Sequence, residues 1–345
     1  MLEAPNIPYD LLIACVREQY QKPAASIEFL PIGLDTTAWA YRVRSADGTT
    51  WFLKLKKGAI YEASLLVPRL LHDRGIIQVV APLTTRTDTL WTQLNSDYFA
   101  ILYPFIEGGN GMDVGLSDEQ WVIFGHTFKE IHSVVLPDNL QAHVRQETFV
   151  PSQQWRQTIM RLDTHIQNVP PKNTFEQEFA KFWMSQRDEI HRIIGRAMTL
   201  GLQLQTKPSS LVLCHADIHT ANLLLTPAGE LRVVDWDQLI LAPIERDLMF
   251  VINDKDAQRE KMKLFMNGYG PVSINLLALA YYRYEWVIQE LADFGEQVFY
   301  LPDVGAKTRA NAVRGFSQLF DKGDVIEAAY QADANLPSDD VSVLS

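Results

Sequence analysis

One loop carries side chains whose types and spacing could do chemistry. In Cys214-His-Ala-Asp-Ile-His-Thr-Ala-Asn222 the acid Asp217 precedes the amide Asn222 by five residues, and Asp235 follows thirteen residues later in Val234-Asp-Trp-Asp237. Phosphoryl transfer from a nucleotide needs a carboxylate to orient a hydroxyl and accept its proton. It also needs oxygen ligands for a magnesium ion bridging the phosphates, and a cation facing those phosphates. Asp217 suits the first role. Asn222 and Asp235 suit the second, because magnesium takes hard oxygen donors and usually only one or two from the protein. Lys54, in Trp51-Phe-Leu-Lys-Leu55, is the candidate cation, and Glu62 on the following helix could hold it in place. A rival chemistry claims the same loop. His215, Asp217 and His219 alternate, so on an extended strand they would share a face and could ligate zinc. That hydrolase reading leaves Lys54, Asn222 and Asp235 unexplained. Singly, Asp and Asn also cap loops; their joint spacing favours phosphoryl transfer.

The elements that must position these groups fall into two textures. Trp39–Val43 and Trp51–Leu55 read as strands joined through Asp47-Gly48, a hairpin signal because glycine accepts the positive φ of the turn. Alternation along the second strand puts Lys54 and Lys56 on one face, with Leu53 and Leu55 on the other. A helix follows from about Tyr61 to Arg74, with Pro68 implying a kink or a late start. Thr89–Leu94 and Tyr98–Tyr103 make a second hairpin. Pro104-Phe-Ile-Glu-Gly-Gly-Asn-Gly111 is rich in turn formers and reads as a hinge. Beyond it, Ser117-Asp-Glu-Gln120 is a capping box opening a helix with Trp121, Phe124, Phe128 and Ile131 on one face. Helical patterns continue at about 175–200, 257–267, 274–294 and 309–320. One β-like island interrupts them: Leu211–Cys214, Leu223–Thr226 and Leu231–Asp235. The expected fold is α+β and bilobal: residues 1–103 as an antiparallel-sheet N-lobe, 104–111 as hinge, and 112–345 as a larger, mainly helical C-lobe.

Composition narrows the class. The chain has 345 residues, 47% hydrophobic and 21% charged, the balance of a globular protein rather than a disordered one. No apolar run approaches the roughly 18 residues that cross a bilayer, and the start lacks the basic and apolar stretches of a secretion signal. Two cysteines cannot frame a disulfide scaffold. A cytoplasmic location is expected. Residues 1–104 carry ten basic and ten acidic side chains, so the whole net charge of −11 falls in 105–345. Such a field disfavours nucleic acid and attracts cationic small molecules, with ordinary solubility charge as the alternative reading; no membrane partner is implied.

The constellation resembles a known family. His215-x-Asp217-x-His219-x-x-Asn222 followed by Asp235 is similar to the catalytic and metal loops of the protein-kinase-like aminoglycoside phosphotransferases, and the lobe order agrees. The likeness extends through Phe52–Lys56, Tyr103–Ile106, Ala242–Phe250 and Tyr281–Glu285. It implies Asp217 as catalytic base, Asn222 and Asp235 as Mg2+ ligands, and Lys54 paired with Glu62 on the phosphates of ATP or GTP. It also implies that the backbone of Pro104 and Ile106 meets the purine, and that His215 mainly braces the loop. One departure stands in Pro31–Thr37, where only Gly33 remains of a glycine-rich loop. Thr36 and Thr37 would then hold phosphate through hydroxyl and amide groups, with Asp35 counted beside them in the cofactor-binding stretch; a plain hairpin turn is the alternative reading of this loop. For the acceptor, Asp237, Tyr281 and Glu285 are candidates, since aromatic faces flanked by carboxylates suit an aminated, sugar-like ligand. The alternative for the helical pair is a tyrosine packed into the core. The implied activity is phosphorylation of a hydroxyl on an aminocyclitol or aminoglycoside antibiotic, conferring resistance. The alternatives are a housekeeping kinase for a choline-, sugar- or amino-alcohol-like metabolite and an inactive nucleotide-binding scaffold.

Overall fold

The computed structural model describes residues 3–33, 35–207, 209–252, 256–302 and 304–337. Leu34 of the Pro31–Thr37 loop and the last acids of the tail lie outside the described residues. The chain divides into two compact units. The first comprises Met1–Arg145, Val212–Leu241 and Phe250–Pro271; the second comprises Gln146–Leu211, Ala242–Met249 and Val272–Ser345.

In the first unit, α1 (Tyr9–Tyr20) and β1 (Ala24–Leu30) precede the elements expected from sequence. The expected hairpin follows as β2 (Ala38–Ser45) and β3 (Thr50–Lys57), turning on Gly48 at φ +89°. Asp47 Oδ1 accepts the Thr49 N–H there at 2.9 Å. Next come α2 (Ala63–Asp73), β4 (Thr92–Gln93) and β5 (Tyr98–Pro104). The α2 helix runs through Pro68 rather than starting after it. The five strands form one antiparallel sheet in the order β1-β2-β3-β5-β4, so β3 is central, flanked by β2 and β5. Trp51, Leu53 and Leu55 are buried on one face, and Lys54 and Lys56 fall on the other, as the alternation requires. The Tyr20 hydroxyl donates to Ala100 O at 2.8 Å and ties α1 to β5.

Past residue 104 the first unit continues with β6 (Gly109–Asn110), α3 (Gly111–Val114), α4 (Asp118–His132) and α5 (Asp138–Gln141). The α4 capping box is present: the Ser117 hydroxyl accepts the Gln120 N–H, and the Gln120 side chain accepts the Ser117 N–H. The second unit then takes α6 (Gln153–Asn168) and α7 (Thr174–Gln205). The β island returns to the first unit as β7 (Val212–Cys214), β8 (Leu223–Leu225) and β9 (Leu231–Val233), followed by β10 (Ile240–Ala242). Strands β6, β8 and β9 form a three-stranded antiparallel sheet. After α8 (Glu245–Leu248), helix α9 (Asp256–Tyr269) packs on α4. The second unit is completed by α10 (Leu276–Phe299), α11 (Ala306–Gln318) and α12 (Val325–Ala334). Its core is α10, against which α6, α7, α11 and α12 pack. An antiparallel N-terminal sheet followed by a mainly helical C-terminal part matches the expected α+β class.

Candidate active site

The loop after β7 is built from the inside outward. Cys214 and His215 are fully buried, and Ala216 takes φ +69°. That left-handed conformation costs a non-glycine residue on the order of 1–2 kcal/mol, so the surroundings must impose it. His215 supplies the hold. Its Nε2–H donates to Val234 O at 2.9 Å, and its Nδ1 accepts the Asp217 N–H at 3.3 Å. Trp236 and Phe128 of α4 flank the ring, with centroids 4.7 and 6.5 Å away. With both ring nitrogens engaged, His215 has no lone pair for a metal. Among the described residues, His215, Asp217 and His219 do not gather as a metal-ligand group, which removes the zinc reading.

Beyond Asp217, the chain makes one 3-10 turn over Thr220–Asn222. The Asn222 side-chain amide donates back to Asp217 O at 2.7 Å and to Asp217 Oδ2 at 3.3 Å. His219 Nε2 lies 3.6 Å from Asp217 Oδ1. The Val234 N–H donates to Asn222 O at 3.0 Å, which joins the loop to the segment carrying Asp235. Asp235 itself sits at φ +64°, a second left-handed non-glycine position in this region and one that falls on a functional candidate.

On β3, the Lys54 ammonium bridges Asp235 Oδ1 at 2.9 Å and Asp237 Oδ2 at 3.0 Å. Lys56 also pairs with Asp237 Oδ2, and its Nζ lies 3.4 Å from Asp35 Oδ2. Burial alone would lower the Lys54 pKa; Asp235 and Asp237 reverse this and hold it well above the ordinary lysine value. Burial would likewise raise Asp237, yet Lys54 and Lys56 bring its carboxyl well below the usual range. Asp35 follows the same pattern. Desolvation pushes it up, while Lys56, the Thr37 hydroxyl and Lys54 outweigh that and lower it. Its Oδ1 accepts both the N–H and the hydroxyl of Thr37, each at 2.7 Å.

The structure therefore brings Lys54, Asp235 and Asp237 together, and Asp217 with Asn222. Other expected contacts differ. Glu62 stands exposed beside the first turn of α2, and among the described residues Lys54 pairs with the two aspartates and not with Glu62. Asp237, expected on the acceptor, is occupied by two lysines. Thr36 and Thr37 lie in the β1–β2 connection, Pro104 ends β5, and Ile106 follows it half-buried. In the second unit, Tyr281 has no exposed surface and packs edge-on to Phe149 and Tyr282, so the core-packing alternative holds for it. Glu285 is buried as well, and burial raises its pKa to about 7 despite Arg246. Neither offers the exposed stacking face expected from sequence. Arg145, which no motif signalled, donates from Nη2 to Asp237 O at 2.8 Å, and its guanidinium lies 4.1 Å over the Tyr61 ring.

A kinase-like fold with this loop defines a class of enzyme, and the comparisons agree. The phosphotransferase enzyme family matches residues 28–282, and the chain belongs to it. Spectinomycin phosphotransferase in complex with ADP and spectinomycin is similar at 29% identity and a TM-score of 0.83, over 95% of this chain and 99% of that one. Amicoumacin kinase matches at 17% identity and TM-score 0.53 over 87% and 89% of the two chains. Choline kinase from Streptococcus pneumoniae matches at 14% and 0.53 over 90% and 98%; these last two likenesses establish the fold alone. No curated protein sequence matches. The protein is a nucleotide-binding phosphotransferase acting on a hydroxyl group. Among the described residues no helix is long and apolar enough to cross a membrane.

Proposed function

We propose that the protein transfers the terminal phosphate of ATP, or of GTP, to a hydroxyl of spectinomycin or a similar aminocyclitol, and so confers resistance to it. The observation that carries this reading is end-to-end likeness: 29% identity over 95% of this chain and 99% of spectinomycin phosphotransferase, against 14% for the choline kinase.

In this reading the acceptor hydroxyl lies against Asp217, its oxygen attacks the terminal phosphorus, and its proton passes to the carboxylate as the bond to the nucleoside diphosphate breaks. The Asn222 amide fixes Asp217 from behind. Lys54 would face the phosphates, with Asp35, Thr36 and Thr37 approaching them from the β1–β2 connection and the backbone of Pro104 and Ile106 meeting the purine. Magnesium fits the donor set. The Asn222 Nδ2 donates to Asp217, so the Asn222 Oδ1 and the Asp235 carboxylate are the oxygens that would hold the ion. When bound, the ion neutralises charge developing between the phosphates. The lysines already on Asp237 favour nucleotide over acceptor in that corner, so the cationic ligand is drawn by the acidic field of residues 105–345.

The test compares specificity constants for spectinomycin, a broad aminoglycoside, choline and an uncharged sugar at two salt concentrations. Spectinomycin should lead, and its constant should fall with salt. A lead for choline or the sugar would replace the antibiotic reading with a metabolic kinase.

A further inference from the structure

Five side chains of the first unit form an alternating line of charge: Asp35, Lys56, Asp237, Lys54 and Asp235. Lys54 has its role in the phosphate site; Lys56 has none. A bland account of Lys56 fails on two observations. Lysines that discourage edge-to-edge pairing belong on edge strands, whereas β3 is central in its sheet. A solvated lysine would be exposed, whereas the Lys56 side chain keeps 18% of its surface and both of its partners are carboxylates. One of these partners, Asp35, is the residue that orders Thr37, whose N–H and hydroxyl both end on Asp35 Oδ1. The Thr37 carbonyl in turn accepts the Lys57 N–H at 2.8 Å, so the same stretch of loop is fastened to β3 by backbone as well.

We propose that Lys56 is a second lysine of the nucleotide site, a positioning residue that ties the phosphate-facing loop, through Asp35, to the strand bearing Lys54. The inference rests on the nucleotide site described above and not on the identity of the acceptor. A loop poor in glycine cannot wrap phosphates by backbone freedom alone. Here an ion pair holds the turn at Asp35 in place before the nucleotide arrives, so less ordering remains to be done on binding. The acceptor of charge at the other end, Asp237, keeps Lys56 and Lys54 at one oxygen and sets the spacing between them.

The tie differs from a simple charge effect, and Asp35 separates the two. Removing the negative charge of Asp35 would strengthen binding of a polyphosphate if charge alone mattered. It weakens binding if Asp35 works as an anchor. ADP affinity is measured by titration calorimetry on the full chain, without acceptor, for wild type, Lys56→Met, Lys56→Arg, Asp35→Asn and the Lys56→Met/Asp35→Asn pair. Melting curves confirm that each variant is folded. Lys56→Met should weaken ADP about tenfold, Asp35→Asn a few-fold, and Lys56→Arg should recover most of the loss. The double variant should be no weaker than Lys56→Met, because the two side chains act through one link. In turnover the effect should fall on the ATP KM more than on kcat. Tighter ADP binding by Asp35→Asn, or additive losses in the pair, would overturn the tie. Wild type that binds ADP beside variants that bind equally well overturns it alone; wild type that does not bind ADP overturns the nucleotide site with it.

Discussion

The side-chain amide of Asn222 reaches back five residues to Asp217 and holds it twice, at the backbone carbonyl (2.7 Å) and at carboxylate Oδ2 (3.3 Å). One residue thereby serves two demands. Its nitrogen holds the proposed proton acceptor, and its oxygen is left over for the proposed cation. An Asp at this position would offer the second but repel the first, which is a physical reason for an amide here.

Asp217→Asn should remove nearly all turnover while nucleotide binding persists. The amide preserves shape but cannot take the hydroxyl proton, and loss of a general base commonly costs about 10²–10⁴ in rate. Single-turnover kinetics with saturating ATP would check it. A variant that keeps more than half of the wild-type rate assigns the base elsewhere.

Asp235→Ala should raise the magnesium concentration needed for half-maximal rate and abolish turnover at ordinary magnesium. Asp235 is the charged partner of the proposed ligand pair, and Asn222 alone leaves a weak oxygen set. The φ of +64° adds a second expectation. Asp235→Asn, which tolerates the left-handed region, should fold as well as wild type and still show the magnesium defect. A magnesium titration of initial rate distinguishes the variants from wild type; superimposable curves would mean the ion is held by other groups.

The candidate loop and the strands were legible because their signals are local. Asp217 and Asn222 lie within one turn of chain, and the Lys54/Lys56 alternation needs only the two-residue period of a strand. The partner of Lys54 was not legible. Glu62 is near in sequence, but the ammonium goes to Asp235 and Asp237, some 180 residues away, and only tertiary structure brings such segments together. Residues 281–285 fail for another reason. Periodicity tells which side chains share a helix face but not which face is covered, and α10 is buried almost all round: Tyr281, Tyr282, Tyr284 and Glu285 are all inside. The α1 helix carries Leu12, Cys15, Val16 and Tyr20 at helical spacing after Pro8, a signal that the hairpins beside it overshadowed.

Helices α4 and α9 cross on a pair of glycines. A methyl group on Gly125 would sit 1.9 Å from Phe265 O, and one on Gly268 would sit 1.9 Å from Val122 O. Backbone cannot yield as a side-chain tip does. Gly125→Ala should therefore destabilise by about 1–3 kcal/mol or more and push the helices apart. Since Phe128 of α4 backs His215, the same variant should lower kcat as well as the melting temperature. Gly195 of α7, where an added methyl meets nothing within 4 Å, is the control, and Gly195→Ala should be neutral or stabilising. Equal melting temperatures for Gly125→Ala and Gly195→Ala would refute the close crossing.

Glu285 should make the stability of the protein fall as pH rises toward neutrality. The groups facing it are Arg246 of α8, Glu147 of the segment before α6, the Ser152 N–H at 3.4 Å, and Tyr281 one turn earlier on its own helix. Burial raises its pKa from 4.5 to about 7, Glu147 adds to the rise, and Arg246 and the Ser152 amide oppose it. Below about pH 4.5 the carboxyl is protonated in the folded and unfolded chains alike, and the group favours neither. Between 4.5 and 7 the folded protein keeps a proton that the unfolded chain has released, so each step up in pH favours unfolding. Above 7 both forms are ionised and the loss is complete, on the order of 1–3 kcal/mol for a shift of this size. Glu285→Gln removes the titration while keeping the shape. Subtracting the melting temperatures of wild type and variant at each pH cancels the titrating groups that do not interact with Glu285. The variant should gain on the wild type steadily from pH 5 to pH 7.5 and then hold its lead. Two curves that run parallel across that range would show that Glu285 titrates as an ordinary glutamate.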